Sequence, residues 1–267
     1  MLPTRLWTEM TTRDFEAADM EGVIALLPLA AVEQHGPHLP TGTDAMIMDG
    51  YLELVLERLP EGLPVLVLPV QQIGASNEHI DFPGTLTLSP QTALAAWLEI
   101  GASVARAGCR KLVIANSHGG NVALMEVLTR ELRLRHNMLA VSASWHRFGY
   151  PDAMFSTHER QHGIHGGDIE TSLMLQFRPD LVRPEELQDF VPTSVEMAQN
   201  FQWLRATGPL SMGWLAQDVS ESGAMGNAAS ASRDKGEACA DYGVSAMVEL
   251  LQDVDAFDLA RLVSAAP

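Results

Sequence analysis

Short apolar runs alternating with longer segments of helical spacing constrain this chain more than any other feature. Gly22-Val-Ile-Ala-Leu-Leu-Pro28, Leu63-Pro-Val-Leu-Val-Leu-Pro69, Lys111-Leu-Val-Ile-Ala-Asn116 and residues 138–145 read as buried strands, because each is a continuous apolar run of strand length. Over 44–58, Met46, Ile47, Tyr51, Leu52, Leu54 and Val55 recur at helical spacing. Ser89-Pro90 supplies an N-cap and a first-turn proline for a helix reaching Ala107, with Gly108 as its left-handed stop. Further helices are expected from the third strand to about residue 136, over 168–177 and over 232–251. This alternation predicts βαβ units, and so a single α/β domain over 1–267 with a mainly parallel sheet covered by helices on both faces. From 184 to 227 the pattern is weak, and it assigns no element there.

With 46% apolar residues in 267, the chain has ample material for a core. Its longest apolar run, ten residues over 23–32 with Pro28 inside it, falls short of the roughly 20 that a membrane-spanning helix needs. No apolar leader marks the first 22 residues, so a cytoplasmic protein without a membrane partner is expected. Asp and Glu number 34 against 17 Lys and Arg, a formal net charge of −17. Such a field repels phosphate backbones, which excludes nucleic acid as a partner, and it suits a protein that holds cations. Cys109 and Cys239 are the only cysteines; they cannot build a disulfide framework or an all-cysteine zinc site, and they fit a reducing compartment.

The chemistry gathers at strand ends, where open parallel sheets bind their ligands. The first strand runs into Glu33-Gln-His35-Gly-Pro-His38-Leu-Pro-Thr-Gly-Thr-Asp44, and the third into Asn116-Ser-His118-Gly-Gly-Asn121. Residues two apart in an extended segment project to the same side, so Glu33 and His35 address one point. Gly36, Pro37, Pro40 and Gly42 then force a turn that brings Asp44 back beside them. Carboxylates with neutral imidazoles suit zinc, manganese or iron. With two such ions about 3.5–4 Å apart, Asp44 is the natural bridge and a shared hydroxide the natural nucleophile. Taken singly, each group has an ordinary reading: Glu33 as a surface acid, Asp44 as a helix cap, His118 as a loop histidine. After the second strand, Gly74-Ala-Ser-Asn-Glu78-His79-Ile-Asp81-Phe-Pro-Gly84 reaches the same edge. There Glu78 and His79 either contact substrate or form a structural hydrogen-bonded pair.

A further segment, His158-Glu-Arg-Gln-His162-Gly-Ile-His165-Gly-Gly-Asp168-Ile-Glu170, contains a literal H-E-x-x-H. Zinc peptidases need both of its histidines on one face of a continuous helix, with the glutamate as base. Here Gly163 follows at once and Gly166-Gly167 comes next, so a long helix is not expected. A mononuclear zinc peptidase built on His158, Glu159 and His162 is the competing enzyme reading. No G-x-S-x-G elbow and no glycine-rich phosphate loop occurs.

In this order, four segments resemble the signatures of the creatininase (creatinine amidohydrolase) family: Glu33 to Asp44, Glu78-His-Ile-Asp-Phe-Pro-Gly-Thr-Leu-Thr-Leu88, Asn116 to Asn121, and His165-Gly-Gly-Asp-Ile-Glu-Thr-Ser-Leu173. Gly223-Ala-Met-Gly-Asn227 with Ala231-Ser-Arg-Asp-Lys-Gly-Glu237 is similar to its C-terminal signature. The resemblance implies a three-layer α/β/α fold, usually a hexamer, in which two divalent metals hydrolyse a C–N bond. It implies Glu33 and His118 on one metal, His35 on the other, Asp44 between them, and His165 as the proton-transferring histidine. Glu170 matches the family's glutamate after its H-x-G motif.

The resemblance also marks departures. Creatininases proper carry H-x-E after the third strand, and that glutamate binds the second metal; Gly120 stands there in this chain. Glu170 or water then completes the second site, or that ion binds weakly. The family's tryptophan four residues before the H-x-G histidine is Gln161 here, a candidate substrate contact. Trp145, after the fourth strand, either lines the pocket or packs in the core. These departures argue against creatinine and toward another linear or cyclic amide of a small molecule. A metal-dependent amidohydrolase is expected. Gly120 keeps a third reading open, a metal-stabilised binding protein without turnover.

Overall fold

Every residue of β1 (Ile24–Leu29), β2 (Val65–Val67) and β3 (Lys111–Asn116) is buried, as strands covered on both faces must be. With β4 (Leu139–Ser144) they form an all-parallel sheet in the order β2-β1-β3-β4. The structure is a computed structural model that describes residues 2–263. α1 (Thr12–Ala17) precedes β1, α2 (Thr43–Arg58) leads to β2, α3 (Pro90–Arg106) to β3 and α4 (Val122–His136) to β4. α5 (Thr157–His162), α6 (Asp168–Phe177), α7 (Ser194–Asn200), α8 (Ala216–Val219) and α9 (Arg233–Ala256) follow.

The strand period of two divides the interior into two cores. Ile24, Leu26, Val65, Val67, Val113 and Ala115 pack with residues of α2, α6 and α9. Ala25, Leu27, Leu66, Leu112 and Ile114 pack on the opposite face with residues of α3 and α4. The result is the expected three-layer α/β/α arrangement. α3 begins and ends on its own chemistry: Ser89 Oγ accepts the Thr92 N–H at 3.2 Å, Pro90 leads the helix, and Gly108 turns at φ +97°.

Two elements differ from expectation. α9 continues to Ala256, past the apolar period that ends near Leu251. Within 184–227 the chain forms α7, α8 and a two-residue antiparallel pair, β5 (Asp189–Phe190) with β6 (Gly226–Asn227). Such short pieces show no period. β1 lies between β2 and β3, so the loops leaving β1 and β3 diverge and open a crevice at their carboxyl ends.

Candidate metal centre

The loop after β1 folds back on itself. The Glu33 N–H donates to the Thr41 carbonyl at 2.8 Å, His35 bridges to Leu39, and Gly36 makes the turn at φ +72°. α2 then starts with Asp44 in its first turn. Ligand atoms of Glu33, His35 and Asp44 lie within 4.8 Å of one another. β3 delivers His118, whose Nδ1 is 3.2 Å from Glu33 Oε1 and 3.4 Å from Asp44 Oδ2. A bridge between His165 and Met225 brings in the segment ahead of α6. Glu170, in the first turn of α6, accepts the Gly166 N–H at 2.5 Å. His35 Nε2 lies 3.8 Å from both Glu170 Oε2 and Asp44 Oδ1. Asp44 thus addresses two groups, one oxygen to each.

The donor set fits divalent cations. Glu33, His35, Asp44 and His118 are at most 4% exposed, yet Glu33 Oε2, His35 Nε2 and Asp44 Oδ2 have no hydrogen-bond partner. Leaving buried polar atoms unpaired costs about 1–3 kcal/mol each, and more for charges. Donors about 2.1 Å from a four-coordinate ion stand about 3.4 Å apart, close to the separations of 3.2 to 3.8 Å seen here. Backbone carbonyls also orient the imidazoles. The His35 Nδ1–H donates to Glu33 O at 3.0 Å and the His118 Nε2–H to Ala75 O at 2.9 Å. Each ring therefore turns a lone pair toward the carboxylates, as metal-binding histidines do.

Charge points the same way. Burial, reinforced by repulsion from Glu33 and Glu170, pushes the Asp44 carboxyl up to about 7. Burial and the Glu33 charge push Glu170 up to about 7 as well. Burial opposes ionisation of Glu33 too, but the His118 imidazole beside it, by charge and hydrogen bond, outweighs that and holds the carboxyl low. Burial keeps His35 well below its ordinary value. Three carboxyls crowd round too little positive charge, a perturbation that clusters at functional sites.

A cavity of about 830 Å³ opens over this centre, lined by Glu33, Asp44, Glu78, His79, His118, His165 and Glu170. Trp145 combines both of its expected roles: it lines the cavity while stacking on Tyr51 at 4.0 Å and 8°. Gln161 does not reach the cavity; it is exposed on α5, and its neighbour Arg160 stands at the wall instead. α5 is a short helix of six residues, and adjacent residues on a helix point about 100° apart. At Gly120 a Cβ would stand 2.5 Å from both Glu78 Oε1 and His118 Nε2, so the Glu78 carboxylate occupies the space beside that backbone. Of the two arginines that could offer an anionic substrate a positive charge, Arg147 and Arg160, only Arg160 lines the cavity; Trp214 at the wall and Gln34 beneath it carry no signal in the sequence. Gln34 lies between two candidate ligands, where strand alternation would turn it away from the site.

The H-E-x-x-H segment forms no metal site. Glu159 is buried and accepts the N–H groups of Asp168 at 2.8 Å and Asn227 at 2.9 Å. His162 pairs with Ser194 Oγ at 2.9 Å, and His158 is exposed. Among the described residues, none of the three joins a ligand cluster. Glu159 is a structural clasp between α5, α6 and β6. Glu159→Ala should therefore lower unfolding stability by about 2–4 kcal/mol, since two buried donors lose their acceptor. Denaturant titration measures that loss, and metal content should stay native; a zinc peptidase would show the reverse.

Comparison with known proteins adds to this geometry. A family model described as "Creatininase: Creatinine amidohydrolase" matches residues 8–251. The "Mycofactocin precursor peptide peptidase" of Mycolicibacterium smegmatis is 31% identical over 216 residues, covering 80% of this chain and 78% of that protein. The "Creatinine amidohydrolase" of Pseudomonas putida is 28% identical over 264 residues, covering 92% and 95%. The solved structure "Creatininase Mn" superposes with a TM-score of 0.73 at 26% identity, over 95% of this chain and 100% of that one.

Proposed function

The chain belongs to the creatininase family of hydrolases acting on C–N bonds, and from that premise we propose that it cleaves an amide bond of a small-molecule or short peptide-like substrate with two divalent ions, zinc, manganese or iron. Glu33, Asp44 and His118 would hold one ion; His35, Asp44 and Glu170 would hold the other. The observation that carries this reading is Asp44, whose two oxygens face two separate donor groups 3.4 and 3.8 Å away. When bound, such ions polarise a carbonyl and lower the pKa of a coordinated water from about 15.7 toward about 7.

The chain's own groups supply the rest. The His165 Nε2–H donates to Gln34 O at 2.5 Å, so its Nδ1 lone pair faces the centre, 3.6 Å from Glu33 Oε1. From there His165 takes a proton from the attacking water and returns it to the departing nitrogen. Glu170 steadies that histidine through the Gly166 N–H next to it. Trp145, Tyr51 and Trp214 offer apolar walls, and Arg160 a cation for an anionic end of the substrate. A cavity of about 830 Å³ lies within the roughly 300–1,000 Å³ of pockets that take drug-sized ligands. This room favours a substrate larger than creatinine, and the relative named as a peptide peptidase supports a peptide-like amide.

We take the chain as one domain, since both cores share one sheet, and as a homo-oligomer, a hexamer by family likeness. Exposed Phe201, Trp203, Leu204 and Leu210 offer apolar contact for that assembly. Among the described residues no helix is long and apolar enough to cross a membrane.

The reading is tested by loading metal-free protein with zinc or manganese, counting ions per chain, and assaying linear amides, cyclic amides and short peptides. A fully loaded chain that cleaves none of them overturns it. Metal affinity should also depend on pH with a definite sign. Protons compete for Asp44 and Glu170, whose carboxyls lie near pH 7 without metal. Affinity should fall as pH drops, by up to roughly tenfold per pH unit for each proton displaced, most steeply below about 7 where both carboxyls take up protons. A shallower slope remains above that, because, against the effect of burial, Glu33 and Asp44 hold the His118 proton well above its ordinary range. Competition against a chromophoric chelator from pH 5.5 to 8.5 measures this slope.

A further inference from the structure

We propose that His79 is the hydrogen-bond donor of this site to the substrate's reacting oxygen, held in that role by Gln34, and that it is not a metal ligand. The inference rests on the hydrolytic reading above and assigns a residue which that reading leaves idle.

The Gln34 amide has one determined orientation. Its Oε1 accepts the Gly36 N–H at 2.9 Å, and its Nε2 donates to the Gly223 carbonyl at 3.1 Å. Turning the amide over would set donor against donor at Gly36 and acceptor against acceptor at Gly223, so its orientation is determined. Gly223, at φ +82°, has no side chain where one would overlap this amide. The second amide hydrogen then points at His79 Nδ1, 2.7 Å away. That nitrogen must carry a lone pair. The ring proton sits on Nε2, which faces the centre 3.5 Å from Glu33 Oε1. An imidazolium, or the other tautomer, would press hydrogen against hydrogen at Gln34.

His79 is thus the reverse of its neighbours. His35, His118 and His165 each give an N–H to a backbone carbonyl and turn a lone pair inward. His79 takes an N–H at its outer nitrogen and turns an N–H inward. Donor atoms of Glu33, His79 and His165 lie within 4.8 Å of one another, but His79 has no lone pair to offer an ion there. It is 2% exposed, lines the cavity, and stacks on His165 at 4.3 Å and 25°. A base lone pair on His165 and a fixed donor on His79 stand side by side over Glu33. As a carbonyl becomes tetrahedral its oxygen gains charge, and a donor already aimed at it stabilises that charge without reorganising. A neutral imidazole suffices as such an electrophile. His79 keeps its proton throughout; Gln34 is the positioning residue.

The test uses the full chain, zinc-loaded and 15N-labelled at histidine, with methylphosphonate as a tetrahedral oxyanion probe. Long-range proton–nitrogen spectra should find His79 protonated at Nε2 and bare at Nδ1, with the Nε2 proton moving downfield when the probe is added. His79→Phe keeps a flat ring and removes the donor; His79→Gln restores an N–H. Both variants should hold the native number of zinc ions. His79→Phe should bind methylphosphonate at least about tenfold more weakly, and His79→Gln within roughly threefold of native, the difference expected for a hydrogen bond to a charged group. A proton on Nδ1, loss of a zinc ion in either variant, or unchanged probe binding in His79→Phe overturns the inference while leaving the hydrolytic reading intact. A native chain that takes up no zinc overturns the hydrolytic reading, and this inference with it.

Discussion

Asp44→Asn should cost the protein both metal ions and its hydrolytic activity together. Asp44 is the one residue that faces both donor groups, with Oδ2 3.4 Å from His118 Nδ1 and Oδ1 3.8 Å from His35 Nε2. Asparagine keeps the shape but replaces one oxygen with an NH₂ group. Whichever way the amide turns, one donor group then meets hydrogens instead of a lone pair. The site also loses a negative charge that burial has already made costly, since this carboxyl is pushed up to about 7. The metal-free variant should therefore fold at least as well as the metal-free native protein. The Asp44 carbonyl keeps its hydrogen bond from Ser117 Oγ at 2.9 Å. Elemental analysis should find well under one ion per chain. Turnover should drop about a thousandfold or more, roughly 4 kcal/mol of lost transition-state stabilisation. Native metal content with native turnover in this variant would remove the basis of the proposed chemistry.

What the sequence reveals of this site depends on how local each contact is. Glu33, His35 and Asp44 belong to one loop, and alternation plus a turn rich in glycine and proline suffices to bring them together. His118 follows from its place at the end of a parallel strand. His165 and Glu170 are different. Their approach depends on a bridge to Met225, some sixty residues downstream in a region without periodicity; the sequence marks their segment as rich in potential ligands, but their roles come from the family resemblance alone. Gln161 and Arg160 show the limit from the other side: a motif position transfers along the chain, but a short helix decides which neighbour faces the cavity. The sheet was legible because β1 and β2 are apolar throughout and β3 is apolar between Lys111 and Asn116, while β4, interrupted by Ser142 and Ser144, still follows a helix at strand length. β5 and β6 were not, because two residues hold no pattern.

Glu170→Gln should separate the two ions. Glu170 Oε2 lies 3.8 Å from His35 Nε2 and accepts the Gly166 N–H at 2.5 Å. Glutamine retains an acceptor for that N–H, so the turn carrying His165 stays in place. What it loses is the charge, and with it one of three donors in the group formed with His35 and Asp44. Among the described residues the other carboxylate near His35 and Asp44 is Glu33, which already serves the first group. Gly120, where creatininases proper carry their glutamate, has no room for a side chain against Glu78 and His118. Glu78 itself faces His118 at Nε2, 3.6 Å away, the ring edge opposite the nitrogen turned toward Asp44. The group of Glu33, Asp44 and His118 is untouched, so the variant should hold one ion per chain where the native protein holds two. Activity should fall at least about a hundredfold, because losing a ligand outweighs the 10–100-fold typical of losing a ligand's hydrogen-bond partner. Titration with zinc, followed by ion counting and calorimetry, reads the stoichiometry directly. Two ions retained would mean that another donor completes the second group. Both lost would mean that the two groups act as one, and either result would overturn the division of ligands proposed here.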